Sequence, residues 1–151
     1  MNFRLPTIRL TKKFHFEMAH ALTGHDGPCK TIHGHSYVLS ITVSGKPIQD
    51  AANPKNGMVL DFADLKKIIQ ENIIQHYDHA LVLNVSDKGK IMVNEKDHKI
   101  IYVPFAPTCE MLLGNFHHVI FEKIPQHLKL QTIRLDETAS SFAEWHANDN
   151  L

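Results

Sequence analysis

The sequence has no apolar run that approaches the roughly 18 residues needed to cross a bilayer. Its opening stretch, MNFRLPTIRLTKKF, lacks the apolar segment and small-residue cleavage site of a signal peptide. It also lacks an excess of charge, since 16 lysines and arginines balance 16 aspartates and glutamates. Proteins that bind nucleic acids usually carry a basic excess. We therefore expect a cytoplasmic protein that binds neither membrane nor nucleic acid.

Cysteine is scarce as well, with only Cys29 and Cys109. In a cytoplasmic protein we expect both to be reduced thiols rather than a disulfide. The chain has no internal repeat and no low-complexity linker, and its 151 residues are enough to bury one core. The sequence therefore predicts a single domain over residues 1–151.

Two segments, residues 8–20 and 33–45, alternate apolar and polar side chains as half-buried strands do. One face of the first segment carries Phe14, Phe16, Met18 and His20, and one face of the second carries Tyr37, Leu39, Ile41 and Val43. The opposite face of the second segment is rich in serine and threonine. We interpret the pair as a wide hairpin.

Helical spacing follows two N-cap candidates, Asp61 and Thr108. The first apolar stripe is Phe62, Leu65, Ile68, Ile69, Ile73 and His76, and the second is Leu112, Phe116, Val119, Ile120 and Ile124. A short hairpin is predicted near residues 90–103, and a further strand at residues 128–137, with one more short strand at the end. This order predicts an α+β protein whose antiparallel sheet is covered by helices on one face.

Three of the twelve histidines have a spacing that is typical of metal-binding sites. His33 and His35 are two residues apart in a strand, so both imidazoles point to one face. His20 lies on the apolar face of the preceding strand. If both apolar faces cover one core, the three imidazoles converge, as in a catalytic zinc site with an open fourth position. His15 and His25 could compete, and the alternative is a set of half-buried histidines without a metal.

Cys29 lies four positions before His33. It could be a fourth ligand that closes the zinc site, a catalytic thiol beside the metal, or an inert loop cysteine. The neighbours Asp78 and His79 could form a pair in which the carboxylate fixes the imidazole tautomer, or simply a solvated helix end. Asp136 and Glu137 end the predicted strand, where a carboxylate could receive two N–H donors from a planar heterocycle, or be an exposed charge.

Six segments, in order, resemble the 6-pyruvoyltetrahydropterin synthase family: FHFEMAH, CKTIHGHSY, GMVLDFADLK, YDHALVLN, PTCE and DETASSFAEW. The resemblance implies the tunnelling fold, an antiparallel sheet of about four strands with two helices on one face. It also implies that the sheets of several copies join into a barrel, commonly a homo-hexamer, with active sites at subunit interfaces.

The resemblance assigns roles to single residues. It implies that Zn²⁺ is held by His20, His33 and His35, that Cys29, Asp78 and His79 are catalytic, and that Glu137 binds the pterin. The implied substrate is 7,8-dihydroneopterin triphosphate. Three residues separate Cys29 from His33, which resembles the carboxy branch of the family. That branch yields 6-carboxytetrahydropterin, acetaldehyde and triphosphate on the route to queuosine.

Other functions stay open at this point. The pyruvoyl branch removes triphosphate alone from the same substrate. A zinc-dependent hydrolase on an unrelated fold would use water as its nucleophile and would not need Cys29. A non-catalytic pterin-binding protein would keep the zinc and the oligomer without turnover.

Overall fold

The computed structural model describes residues 4–151. Its strands are β1 (Ile8–His20), β2 (His33–Gly45), β3 (Ala80–Asn84), β4 (Ile100–Val103), β5 (Lys129–Asp136) and β6 (Phe142–His146). Its helices are α1 (Phe62–Ile69), which continues through a π-helical turn (Gln70–Ile74) into α2 (Gln75–Tyr77), and α3 (Cys109–Phe121). Short 3₁₀ turns cover Pro28–Lys30, Val85–Asp87 and Ala147–Asn150.

The hairpin of β1 and β2 forms the centre of the sheet. Its 13-residue strands pair antiparallel without a break, from Ile8 opposite Gly45 to His20 opposite His33. Both strand bounds agree with the sequence prediction, because strict alternation of side chains fixes the period of a strand. The loop that joins the two strands carries Cys29.

The complete sheet has six strands in the order β4–β3–β1–β2–β5–β6. The α+β class is confirmed, with six strands instead of about four. β5 and β6 extend the hairpin antiparallel on one side, and β3 and β4 add parallel strands on the other. The sheet is therefore mixed rather than purely antiparallel.

The prediction of a hairpin near residues 90–103 is wrong. Only Ile100–Val103 forms a strand, and it pairs with β3 rather than with its own neighbours. Ile91 and Val93, which gave the first arm its strand-like pattern, instead pack against a small apolar cluster of Ala21, Leu81 and Leu83.

Both predicted N-caps are confirmed. The Asp61 carboxylate accepts from the Ala63 amide, and the Thr108 hydroxyl accepts from the Met111 amide. The first helix departs from its predicted stripe near its end, where Ile74 and Tyr77 are buried and His76 is exposed. The π-helical turn explains this, because one additional residue rotates the following side chains by about 100° around the axis.

One apolar core joins the two helices to a single face of the sheet. Phe16, Tyr37 and Leu39 from the hairpin pack in one cluster with Leu65 and Phe116 from the helices. The opposite face is polar, and there the Thr11 and Thr42 hydroxyls bond across the hairpin at 2.8 Å. Within residues 4–151, no helix combines the length and apolar character needed to cross a membrane.

Candidate active site

Three imidazoles converge at the end of the β1–β2 hairpin. His20 and His33 are cross-strand partners, and His35 is the partner of Met18, two positions along the same face. One nitrogen from each of the three rings lies within 4.8 Å of the others. The predicted convergence is therefore observed, and its cause is the strand register. His15 lies on the exposed face of β1, away from this group.

Two backbone carbonyls fix the tautomers of His20 and His33. Nδ1 of His20 is 2.7 Å from the Pro107 carbonyl oxygen, and Nδ1 of His33 is 2.7 Å from the Thr31 carbonyl oxygen. A carbonyl oxygen only accepts hydrogen bonds, so each Nδ1 carries a hydrogen. In the neutral rings, each Nε2 then presents a lone pair. Metal-binding histidines are usually oriented in this way.

The two Nε2 atoms of His20 and His33 nevertheless lie 3.0 Å apart. Two lone pairs at this distance repel each other unless a proton or a metal ion lies against both. Burial lowers the pKa of His20 from its usual value, and the neighbouring His33 and His35 lower it further, against the opposing effects of the Pro107 carbonyl and Glu137. A proton on His20 is therefore disfavoured, and the donor set fits a cation.

One distance in the group suits a tetrahedral metal ion. Ligands about 2.0–2.1 Å from a tetrahedral ion stand about 3.3–3.4 Å from one another, close to the separation of the His20 and His33 nitrogens. His20 is 1% exposed, so this ligand is shielded from water. His20, His33 and His35 could thus hold a metal ion and leave a fourth position open.

Glu137 lies against the same cluster. Its Oε1 is 3.7 Å from Nε2 of His20 and 3.7 Å from Nε2 of His35. The Tyr37 hydroxyl donates to the same oxygen at 3.5 Å. Burial, together with Glu137, raises the pKa of Tyr37, so the tyrosine remains a hydrogen-bond donor at neutral pH. The sequence did not reveal Tyr37 as a polar neighbour, because its position on the apolar face marks it as a core residue.

Cys29 opens into a cavity of about 350 Å³ that His20 and Glu137 also line. It is not part of the converged ligand group. Cys109 lines the same cavity, but burial and then Glu137 raise the pKa of its thiol to about 11. Its Sγ donates to the Leu135 carbonyl at 3.4 Å. Cys109 is thus a protonated wall residue, whereas Cys29 lies at the cavity in a short turn.

Asp78 and His79 are in contact at the corner between α2 and β3, with Oδ1 of Asp78 3.0 Å from Nδ1 of His79. The same oxygen accepts from the Glu17 amide at 2.9 Å. That backbone hydrogen bond lowers the pKa of Asp78, and His79 lowers it further, while partial burial opposes both. His79 has a φ of 60°, and its own amide donates to the Glu17 carbonyl.

The Asp78–His79 pair is not in the Cys29 cavity. His79 lines a second cavity of about 540 Å³, which reaches the histidine cluster through His35. Lys99 lines it too and donates to the carbonyls of Gln75 and Asp78 at 2.7 and 2.9 Å. No local pattern in the sequence indicated Lys99, since it reaches the corner only through the parallel pairing of β4 with β3.

Comparison with known proteins agrees with this geometry. A family model described as 6-pyruvoyl tetrahydropterin synthase matches residues 9–148. The chain belongs to that family. It is 35% identical over 144 residues to the 6-carboxy-5,6,7,8-tetrahydropterin synthase of Haemophilus influenzae, covering 91% of this chain and 98% of the relative. The Rickettsia typhi protein of the same name is 34% identical, with 91% and 99% covered.

Solved structures show the same fold. The 6-pyruvoyl tetrahydropterin synthase of Caenorhabditis elegans superposes with a TM-score of 0.67 at 23% identity, covering 96% of this chain and 99% of that one. The Plasmodium falciparum enzyme of that name has a TM-score of 0.70 at 19% identity, with 93% and 97% covered. The tunnelling fold is thus confirmed, and the family supports a tetrahydropterin synthase function of the lyase type.

The hydrogen bonds of Asp78 predict a pH-dependent contribution to stability. Its folded pKa is lowered, so its stabilisation is complete above the unfolded value of about 3.9 and is lost as pH falls through the folded pKa. The free-energy difference between wild type and Asp78→Asn should therefore shrink between pH 5 and pH 2.5 in urea unfolding. Asp149→Asn, at an exposed carboxylate, is the control; a constant difference for Asp78→Asn would contradict the assignment.

Proposed function

We propose that the protein is a zinc-dependent 6-carboxy-5,6,7,8-tetrahydropterin synthase. It would convert 7,8-dihydroneopterin triphosphate to 6-carboxy-5,6,7,8-tetrahydropterin, acetaldehyde and triphosphate, as a carbon–carbon lyase on the route to queuosine. The observation that carries the proposal is the approach of the His20 and His33 Nε2 atoms to 3.0 Å, in a chain of this family. The relatives named for the carboxy reaction support the choice of branch.

His20, His33 and His35 would hold the zinc ion. Bound there, zinc would act as a Lewis acid that makes the hydroxyls of the pterin side chain more acidic. The chain's own contribution is to present three converging imidazoles, two of which, His20 and His33, are oriented by the Pro107 and Thr31 carbonyls. A pterin side chain could enter the cavity lined by Cys29 and approach the open fourth coordination position of the zinc ion from there.

Cys29 would move a proton and would not be a permanent ligand. Its absence from the converged ligand group supports this role. Asp78 and His79 would form the second proton-transfer group, because the carboxylate against Nδ1 holds a hydrogen there and leaves Nε2 free to accept one. The two groups open into different cavities: His35 of the cluster lines the one at His79, and His20 lines the one at Cys29.

Glu137 would bind the N–H edge of the pterin ring. Its carboxylate lies in the Cys29 cavity and is partly exposed, so it can receive donors from a ligand. A second role is as a fourth zinc ligand, which its 3.7 Å contacts with two of the imidazoles would favour. The two roles differ in whether the metal depends on the carboxylate.

We also propose a homo-oligomer, a hexamer as in the family. The polar face of the sheet supports it, because the Thr11 and Thr42 hydroxyls lie exposed there, opposite the apolar core. Such a face could line the interior of a barrel made from several sheets. A shared site would also bring the Cys29 of one copy near the Asp78–His79 pair of another.

Zinc content tests the ligand assignment. Purified protein should contain one zinc per chain, and His33→Ala and His35→Ala should lose most of it, because two neutral nitrogens hold the ion poorly. His15→Ala, on the exposed face of the same hairpin, is the matched control and should keep its zinc. Full retention in both site variants would exclude this metal centre.

Cys29→Ala should keep its zinc and lose roughly 10²–10⁴-fold in turnover, as expected when an acid–base group is removed. His79→Ala should behave similarly. Cys109→Ala is the control, since its thiol is buried and protonated. Loss of metal from the Cys29 variant would instead make the cysteine a structural ligand.

Glu137→Gln separates pterin binding from metal binding. The amide would present an N–H group to a ring N–H donor, and an unmatched buried polar group costs about 1–3 kcal/mol. We expect weaker pterin binding, by about tenfold or more, with zinc unchanged, measured by calorimetry and metal analysis. Glu110→Gln, in the same cavity wall, is the control. A loss of zinc would favour the ligand role.

The product decides the branch. Cys29 lies in a short turn whose distance from the metal is set by three intervening residues, each of which spans at most about 3.3–3.6 Å. Proton transfer requires heavy atoms within about 2.6–3.2 Å, or one water between them. We expect mass spectrometry to find 6-carboxytetrahydropterin and acetaldehyde. Accumulation of 6-pyruvoyltetrahydropterin without acetaldehyde would identify the pyruvoyl reaction. Oligomers that contain zinc but form no product would identify a non-catalytic pterin-binding protein.

A further inference from the structure

The loop that carries Cys29, residues 21–32, is shaped by its own backbone. The Leu22 amide donates to the Cys29 carbonyl at 2.9 Å, and the His25 amide donates to the Leu22 carbonyl at 3.0 Å. These bonds tie the Cys29 turn to the start of the loop. They do not attach the loop to the rest of the molecule, so the position of the thiol depends on contacts that leave the loop.

A side-chain hydrogen bond makes such a contact. The Thr23 hydroxyl donates to the carboxylate of Asp87, 64 residues away in the turn after β3. Two positions earlier in the loop, Ala21 packs against Leu81 and Leu83 of β3. The beginning of the loop is therefore attached to the β3 segment by one apolar contact and one polar contact.

Asp87 is unusual in its burial. It is 6% exposed, and among the described residues it is the only acidic side chain in the buried class. No lysine, arginine or histidine side chain in residues 4–151 lies within salt-bridge distance of it. A carboxylate removed from water is costly unless it is hydrogen-bonded. Its side-chain partner is the Thr23 hydroxyl, and hydrogen bonds to charged acceptors are stronger than neutral ones.

We infer that Asp87 is a positioning residue, which holds the Cys29 loop through Thr23 so that the thiol stays at the cavity shared with His20 and Glu137. The consequence for turnover rests on the proposed function, whereas the attachment of the loop does not. Only six positions separate Thr23 from Cys29, and the Leu22–Cys29 bond transmits the position of one end to the other. A displacement of the thiol by an ångström or two would exceed the range of about 2.6–3.2 Å in which protons are transferred.

The matched variants are Thr23→Val and Thr23→Ser. Valine replaces the hydroxyl by a methyl group of similar size, and serine keeps the hydroxyl. The first readout is hydrogen exchange of the amides in residues 21–32, with the core strands as internal reference. Loss of a hydrogen bond to a charged group corresponds to about tenfold faster local exchange or more. We expect this for Thr23→Val alone, with the core strands unchanged.

The second readout is the rate at which iodoacetamide alkylates Cys29, followed by peptide mass spectrometry. Cys109 serves as internal reference, since burial keeps its thiol protonated. A released loop should alkylate several-fold faster in Thr23→Val than in wild type or Thr23→Ser. Exchange and alkylation at the wild-type rate in the valine variant would overturn the inference.

The third readout is steady-state kinetics with 7,8-dihydroneopterin triphosphate. Thr23→Val should lower kcat by at least about tenfold with KM and zinc content unchanged, and Thr23→Ser should restore kcat. A released loop with unchanged kcat would refute the positioning role. If the wild type itself has no turnover, the proposed function fails, and the exchange and alkylation rates still decide whether Asp87 holds the loop. Asp87→Asn, which keeps an acceptor without the charge, should lie between the two threonine variants.

Discussion

The register of the β1–β2 hairpin is the constraint on which the rest of the site depends. The pairing that sets Phe14 opposite Leu39 and Phe16 opposite Tyr37 also sets His20 opposite His33. A slip of one residue would turn the whole apolar face of one strand to the other side of the sheet. The burial of the core therefore fixes the meeting of the imidazoles, and no separate interaction is needed to bring them together.

The candidate metal ligands and the candidate proton-transfer groups are held in place by different kinds of local structure. The candidate metal ligands lie on long, fully paired strands, where neighbouring hydrogen bonds restrict their position. The candidate proton-transfer groups lie at corners: Cys29 in a 3₁₀ turn, and His79 at a positive φ that few residues other than glycine adopt. Such corners need support from outside their own segment, and Glu17, Lys99 and Thr23 supply it through hydrogen bonds.

The sequence predicted whatever depends on local periodicity. Both strands of the central hairpin, both N-caps and the histidine cluster follow from alternation, capping and parity. It failed where the deciding contact is distant in sequence. Residues 90–103 have a strand-like pattern, but the apolar arm packs against β3 instead of forming a hairpin. The π-helical turn likewise cannot be recognised from spacing alone, and it exchanges His76 for Tyr77 on the buried face. The hydrogen bond between His20 and the Pro107 carbonyl could not be predicted either, because the two residues are 87 positions apart in the sequence.

The charges and lone pairs of the histidine cluster indicate that it can bind a cation. Two imidazole nitrogens and the Glu137 carboxylate converge beside the buried His20 ring, and the Tyr37 hydroxyl donates to the carboxylate. A positive charge at its centre would be stabilising, because acceptors that lie this close repel one another. A divalent ion bound by three neutral imidazoles would relieve that repulsion and would stabilise the folded chain, because the unfolded chain offers no preformed site. On the proposed function, the same charge then lies next to the cavity where Cys29 meets the substrate.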